Sequence, residues 1–203
     1  MSDIRKSLKQ LQDRKAYTKD ENRPEEVAKR HRKGQRTARE NITDLCDKDS
    51  FVEYGSLLVA AQRGRRTMQD LIEKTPADGL ITGIGAINGQ WFEEKTAQCL
   101  VFSYDYTVLA GTQGAFNHKK LDRMLEVASK IKKPIVFFLE GGGGRPGDVD
   151  FYPISIGGLD VKTFLEFARL SGKVPRVAII SGYCFAGQAQ ALHWLSMRGQ
   201  KTT

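Results

Sequence analysis

Four consecutive glycines, Gly141–Gly144, follow the apolar run "PIVFFLE" and precede Arg145, Pro146, Gly147 and Asp148. A second turn, "GYCFAG" from Gly182 to Gly187, follows the apolar run "VAIIS". Glycines in such number cost backbone entropy and contribute no packing. What they permit is close approach of another group to bare backbone N–H donors. A phosphate loop of this kind needs GxxxxGK[ST]. Counted from Gly142, the second glycine is Gly147, but Asp148 stands in place of the lysine and would repel a phosphate. A GxGxxG dinucleotide fingerprint can be drawn here only by choosing among repeated glycines, and Pro146 interrupts the helix start it needs. An oxyanion hole asks for less: neighbouring N–H groups aimed at a developing enolate or tetrahedral oxygen. A flexible surface loop is the plain alternative.

Other reactive side chains form no constellation. Ser181-Gly182 lacks the GxSxG elbow. His31, His118 and His193 are scattered, and His118, beside Lys119 and Lys120, reads as a surface residue at a helix start. Tyr183 and Cys184 either line a pocket or pack. Asp105 and Tyr106 fall within a strand-like run and are expected to be partly buried with structural hydrogen bonds. Cys46, Cys99 and Cys184 are far apart and form no CxxC pair, so neither a zinc cage nor any other metal site is expected.

The elements that must carry the glycine turns come in three parts. Residues 1–50 read as polar helices, a helical N-terminal arm. Pro24 opens "PEEVAKRHRK", with acids early and bases late as the helix dipole favours. Thr37 and Glu40 form a capping box before a stripe of Ala38, Ile42 and Leu45. Residues 51–118 turn β-rich, with strands expected near 80–87, 90–93 and 98–108 and a hairpin at Asn88-Gly89. Residues 119–192 alternate helix and strand. Leu121, Met124, Leu125, Ala128 and Ile131 make one helical face, and Pro134 ends it. The runs at 134–140 and 177–181 are continuous and apolar, as parallel strands buried on both faces are. In α/β folds ligands bind beyond the carboxyl ends of such strands, where both glycine turns lie.

Composition bounds the rest. Hydrophobic residues make 40% and charged residues 28% of 203, enough for one sizeable core. No run approaches the ~18 apolar residues of a membrane span, and the charged N-terminus lacks a signal-peptide apolar core. The odd, dispersed cysteines suit a reducing compartment, so a cytoplasmic protein with no membrane partner is expected. The net charge is +8, and residues 1–50 hold 14 Lys and Arg against 10 Asp and Glu. Acids are interleaved and aromatic residues are not, which argues against nucleic acid and for a solvated face or one receiving an anionic nucleotide.

Five stretches in order then carry a resemblance: "GQRTARENITDLCDKDSFVEYG", "ADGLITGIGAINGQ", "CLVFSYDYTVLAGTQGAFNHKKLDRMLEVA", "PIVFFLEGGGGRPGD" and "VPRVAIISGYCFAGQAQA". Over roughly residues 24–192 the chain resembles the N-terminal half of biotin-dependent acyl-CoA carboxyltransferases, of the crotonase-like superfamily. The resemblance implies an α/β, ClpP/crotonase-type spiral of ββα units occupying residues 51–192. It implies transfer of a carboxyl group from carboxybiotin to the carbon beside an acyl-CoA thioester, through an enolate. Gly142 and Gly143 fall where the family forms its acyl-CoA oxyanion hole. Lys120, Gly144, Arg145, Gly182, Tyr183, Ala186 and Gly187 fall in or beside the acyl-CoA site, Arg145 holding the loop in shape. The basic N-terminal segment would then face the phosphates of CoA. Implied partners are acyl-CoA, biotin carboxyl carrier and biotin carboxylase components, and a C-terminal carboxyltransferase half or a further copy of the chain.

The sequence departs from the family at Glu140-Gly141, where many members have Asp-Ser, and at Gln188, where a small residue is usual. Residues 193–203 match nothing in the family, and a truncation or frame change near Ala191 is expected. The chain alone is then expected to bind CoA weakly and to catalyse nothing without a second polypeptide. The alternatives are an inactive or binding-only fragment, or a carboxyacyl-CoA decarboxylase subunit of the same superfamily.

Overall fold

The structure is a computed structural model that describes residues 2–150 and 161–187. The elements run α1 (Ser2–Ala16), α2 (Pro24–His31), α3 (Ala38–Leu45), β1 (Val52–Tyr54), α4 (Met68–Lys74), β2 (Leu80–Ala86), α5 (Glu94–Ala97), β3 (Gln98–Tyr104), α6 (Ala115–Ile131), β4 (Ile135–Gly141), α7 (Thr163–Arg169) and β5 (Arg176–Cys184). The tail 193–203 lies outside the described residues.

The sheet order is β1-β2-β3-β4-β5. β1, β2 and β3 are antiparallel neighbours; β4 joins β3 and β5 joins β4 in parallel. Each parallel step crosses over through a helix, α6 and then α7, as parallel pairing requires. Two antiparallel strands followed by helix and parallel strand is the ββα order expected from the sequence.

Alternation along β4 explains its unbroken apolar run. Ile135, Phe137 and Leu139 face α6 and α7, packing with Leu121, Met124, Leu125, Phe167 and Leu170. Val136 and Phe138 face the opposite side, with Ile81, Val101 and the α3 residues Ala38 and Ile42. Phe137 sits at the centre, edge-on to Phe102 and stacked on Tyr104, each with ring centroids 5.3 Å apart. The α3 stripe is thus a covering layer of the sheet. Its capping box is complete: Thr37 Oγ1 accepts from Glu40 N–H, and Glu40 Oε2 from Thr37 N–H.

Several expectations are corrected. Residues 90–93 are not a strand. Asn88 is left-handed (φ 57°), Gly89 N–H is captured by Asp47, and the chain makes the single turn α5 before β3 begins. Trp91 and Phe92 are exposed, so no core rewards a strand there. β3 ends at Tyr104, leaving Asp105 and Tyr106 beyond it. Asp105 is buried and accepts from Arg23 of the segment before α2 at 2.9 Å. α6 closes at a left-handed Lys132, before Pro134. His118 is buried, not on the surface. Gly182 lies inside β5, which continues to Cys184.

Candidate active site

β4 and β5 deliver their carboxyl ends side by side, and the two glycine turns meet there. Phe185 N–H donates to Gly141 O at 3.1 Å. Gly143 is left-handed (φ 86°), and a Cβ on it would stand 2.9 Å from the Cβ of Ala186. A glycine is needed at this position for both reasons. Ala186 is itself left-handed (φ 50°), so the second turn is sharp.

The segment 109–114 underlies the first turn. Gly142 N–H donates to Ala110 O at 3.0 Å, Gln113 N–H to Gly143 O at 2.7 Å, and Arg145 N–H to Gln113 O at 2.8 Å. These place Gly144 in a parallel bridge with Gln113. In that geometry the peptide groups flanking the bridging residue bond to the partner, and its own N–H points the other way. Among the described residues, the N–H groups of Gly143 and Gly144 have no hydrogen-bond partner. Nothing lies within 4 Å of where a Cβ on Gly144 would stand. Gly142, expected as a donor to substrate, already gives its N–H to Ala110, so among the described residues the adjacent unpartnered donors are those of Gly143 and Gly144.

Arg145 holds the far end of the turn. Its side chain is buried. It donates to Thr112 O at 2.7 Å, to Thr112 Oγ1 at 3.2 Å and to the carboxylate of Asp78. Asp78 is wholly buried in a strained turn, with Ala77 and Asp78 both left-handed (φ 54° and 48°). Burial pushes the Asp78 carboxyl pKa up against the pull of Arg145. Asp148 accepts from Ala115 N–H at 2.8 Å and so caps α6. Gly114 has no room for a Cβ, because Asp148 and Arg145 fill that space.

The other expected residues divide. Gly187 lies against the Gln113 side chain, so it belongs to the same corner. Gly182 faces inward onto the Glu140 carboxylate. Tyr183 is 67% exposed and stacks on Phe185, so it does not pack, whereas Cys184 is partly buried against the core. Lys120 is apart from the turns. Its Nζ donates to Ala77 O at 3.2 Å and to Leu80 O, and burial lowers its pKa to about 8. It braces the turn that carries Asp78. The sequence reading did not name Ala110, Thr112, Gln113 or Asp78. Nothing in the residue types of "GTQGAF" signals that its carbonyls and amides hold another loop.

What the corner can do is limited by its groups. It presents two adjacent uncharged N–H donors, the outer one on the exposed Gly144, on a backbone fixed by buried ion pairs. Such a site stabilises negative charge developing on an oxygen without reorganising.

The chain matches the carboxyl transferase domain family over residues 29–197. It is 35% identical over 164 residues to the methylmalonyl-CoA carboxyltransferase 12S subunit of Propionibacterium freudenreichii subsp. shermanii, covering 79% of this chain and 28% of that one. It is also 35% identical over 162 residues to the biotin-dependent acetyl-/propionyl-coenzyme A carboxylase beta5 subunit of Mycobacterium tuberculosis, covering 79% and 27%. A single-chain, multi-domain long-chain acyl-CoA carboxylase superposes with a TM-score of 0.86 at 54% identity, over 93% of this chain and 18% of that one. The transcarboxylase 12S hexamer with methylmalonyl-CoA bound superposes with a TM-score of 0.71 at 30% identity, over 94% and 33%. The chain therefore spans about a third or less of the length of these relatives. With the match covering most of its residues, the chain belongs to the carboxyl transferase domain family and has the crotonase-like α/β fold of the acyl-CoA carboxyltransferases.

Proposed function

We propose that this chain forms the acyl-CoA side of a biotin-dependent carboxyltransferase site, in which the turn after β4 holds the thioester oxygen. The observation that carries the reading is the pair of adjacent N–H groups on Gly143 and Gly144, unpartnered among the described residues, with open space beside Gly144 and Ala186 against Gly143. The acceptor loses a proton at the carbon next to the thioester, and charge moves onto the thioester oxygen. That carbon would then bond to the carboxyl carbon given up by the N–C bond of carboxybiotin, and the acceptor's proton would pass to the biotin nitrogen in exchange. Backbone N–H donors stabilise the enolate oxygen more than the starting carbonyl, which is what lowers a barrier. Gly142 sets the turn through Ala110, and Arg145 fixes its far end. Gly187 and Ala186 wall the second side. Lys120 and Gly182 act from below rather than on the substrate. Carboxybiotin, carried on a partner protein or domain, supplies the carboxyl group. The remaining partners of this reading are a biotin carboxylase component and further carboxyltransferase structure, from a second half or a second copy.

The test compares acetyl-CoA with its thioether analogue S-ethyl-CoA, which lacks the carbonyl, by calorimetry. Two modest hydrogen bonds correspond to a preference of about tenfold for the thioester. Gly144→Ala keeps the N–H and meets nothing within 4 Å, so it keeps the preference. Gly144→Pro removes the N–H and reduces it by about half of the binding energy difference, or roughly threefold. A Gly144→Pro variant that retains the full preference contradicts the reading.

A further inference from the structure

The strand end that launches the glycine turn is gripped from the N-terminal helices. Arg30 of α2 donates to both carboxylate oxygens of Glu140, Nη1 to Oε1 at 2.7 Å and Nη2 to Oε2 at 2.6 Å. The two residues are 110 positions apart, and both side chains are almost fully buried. Two more of its hydrogens are committed too. Nε donates to Arg36 O at 2.9 Å, Nη1 to Gln35 Oε1 at 3.0 Å, and the group lies over the Tyr106 ring at 5.7 Å. Glu140 is also fixed from two other sides. A Cβ on Gly182 would overlap its carboxylate. A Cβ on Gly111 (φ 63°) would stand 2.7 Å from its backbone oxygen.

From these contacts, and resting on the reading of the β4 turn as the thioester site, we infer that Arg30 is a positioning residue. Through Glu140 it sets the glycine turn and cancels the carboxylate charge that precedes the N–H donors. Three arguments converge on it. A fork-to-fork contact fixes direction as well as distance, which an apolar contact does not. A buried ion pair is often no more stabilising than well-packed apolar residues of similar volume, so net stability alone does not call for it. An unpaired carboxylate three residues before Gly143 would oppose negative charge forming on the thioester oxygen, and Arg30 removes that opposition. Gly182 then has a role distinct from touching substrate: it leaves the space that Glu140 occupies.

The experiment measures the acetyl-CoA to S-ethyl-CoA affinity ratio in the full chain, with urea unfolding alongside. In the double variant Arg30→Met, Glu140→Leu the pair is replaced by apolar volume. We expect the thioether affinity to stay within about twofold of wild type while the ratio falls from about tenfold toward one. Arg30→Lys keeps the charge without the fork and is expected to give an intermediate ratio, which keeps the test open if the double variant does not fold. A double variant, or Arg30→Lys, with the wild-type ratio overturns the inference alone. A wild-type ratio near one overturns the thioester reading and this inference with it.

Discussion

Asp148 Oδ2 accepts the Ala115 N–H at 2.8 Å, joining the end of the β4 turn to the first residue of α6. The acid that counts against a phosphate loop is therefore a helix cap. It also stands beside Arg145, within 3.5 Å. The same carboxylate fixes both α6 and the turn that carries the open N–H groups.

Removing that cap is expected to lower stability. Asp148→Ala should cost about 0.5–2 kcal/mol, the usual range for a lost helix cap, and Asp148→Asn should cost clearly less. Urea unfolding of the three proteins checks this. Equal stability of the alanine variant and the wild type would remove Asp148 from the account of the turn.

Arg145 is predicted to matter more. Arg145→Met leaves Asp78 buried without its cation, and breaking a buried pair of this kind costs about 3–5 kcal/mol. Asp78→Asn should be milder, because the Arg145 guanidinium keeps Asp148 at 3.5 Å and both Thr112 oxygens as partners. Comparing unfolding midpoints of the two variants checks the order. An Asp78→Asn variant less stable than Arg145→Met would contradict it.

His118 gives a pH signature. Thr163 Oγ1 donates its one hydrogen to Asp122, so the 3.0 Å contact with His118 has His118 Nδ1 as donor. Burial, with Arg145 nearby, lowers the His118 pKa from 6.5 to about 4. Between those values the unfolded chain binds more protons, so stability rises with pH across that window. The contribution is complete above pH 6.5 and is lost as pH falls toward 4, amounting to on the order of 3 kcal/mol. In His118→Phe this part of the slope should vanish between pH 4 and 6.5. Carboxylates titrate in both proteins and cancel in the difference. Parallel stability curves for the two proteins would contradict it.

Much of the scaffold was legible because it follows from local periodicity. Four of the five residues of the expected α6 face, Leu121, Met124, Leu125 and Ala128, are buried while Ile131 is exposed, and the double-sided burial of β4 can be read from spacing alone. The Thr37–Glu40 capping box is equally local. The failures have a common cause. Asn88-Gly89 does form a turn, but Asp47, 42 residues away, captures Gly89 N–H and directs the chain into α5. His118 looks polar and exposed beside two lysines, yet α7 arrives to bury it through Thr163. The site shows the same division. The glycines announce bare backbone, and the family resemblance implies an oxyanion hole there. Which N–H groups are open depends on Ala110 and Gln113, whose roles are backbone roles and leave no mark in residue type. The pairs that fix the turn, Arg30 with Glu140 and Arg145 with Asp78, bridge 110 and 67 positions.

The most direct measurement of the central claim is the amide spectrum of the glycine turn. Backbone amide NMR of the chain is recorded with acetyl-CoA and, separately, with S-ethyl-CoA. The amide protons of Gly143 and Gly144 should move downfield with the thioester and not with the thioether. Gly142, already bonded to Ala110, should be the internal control and stay in place. Identical responses of Gly143 and Gly144 to the two ligands, or a response at Gly142 alone, would contradict the assignment of the turn after β4 as the thioester oxygen site.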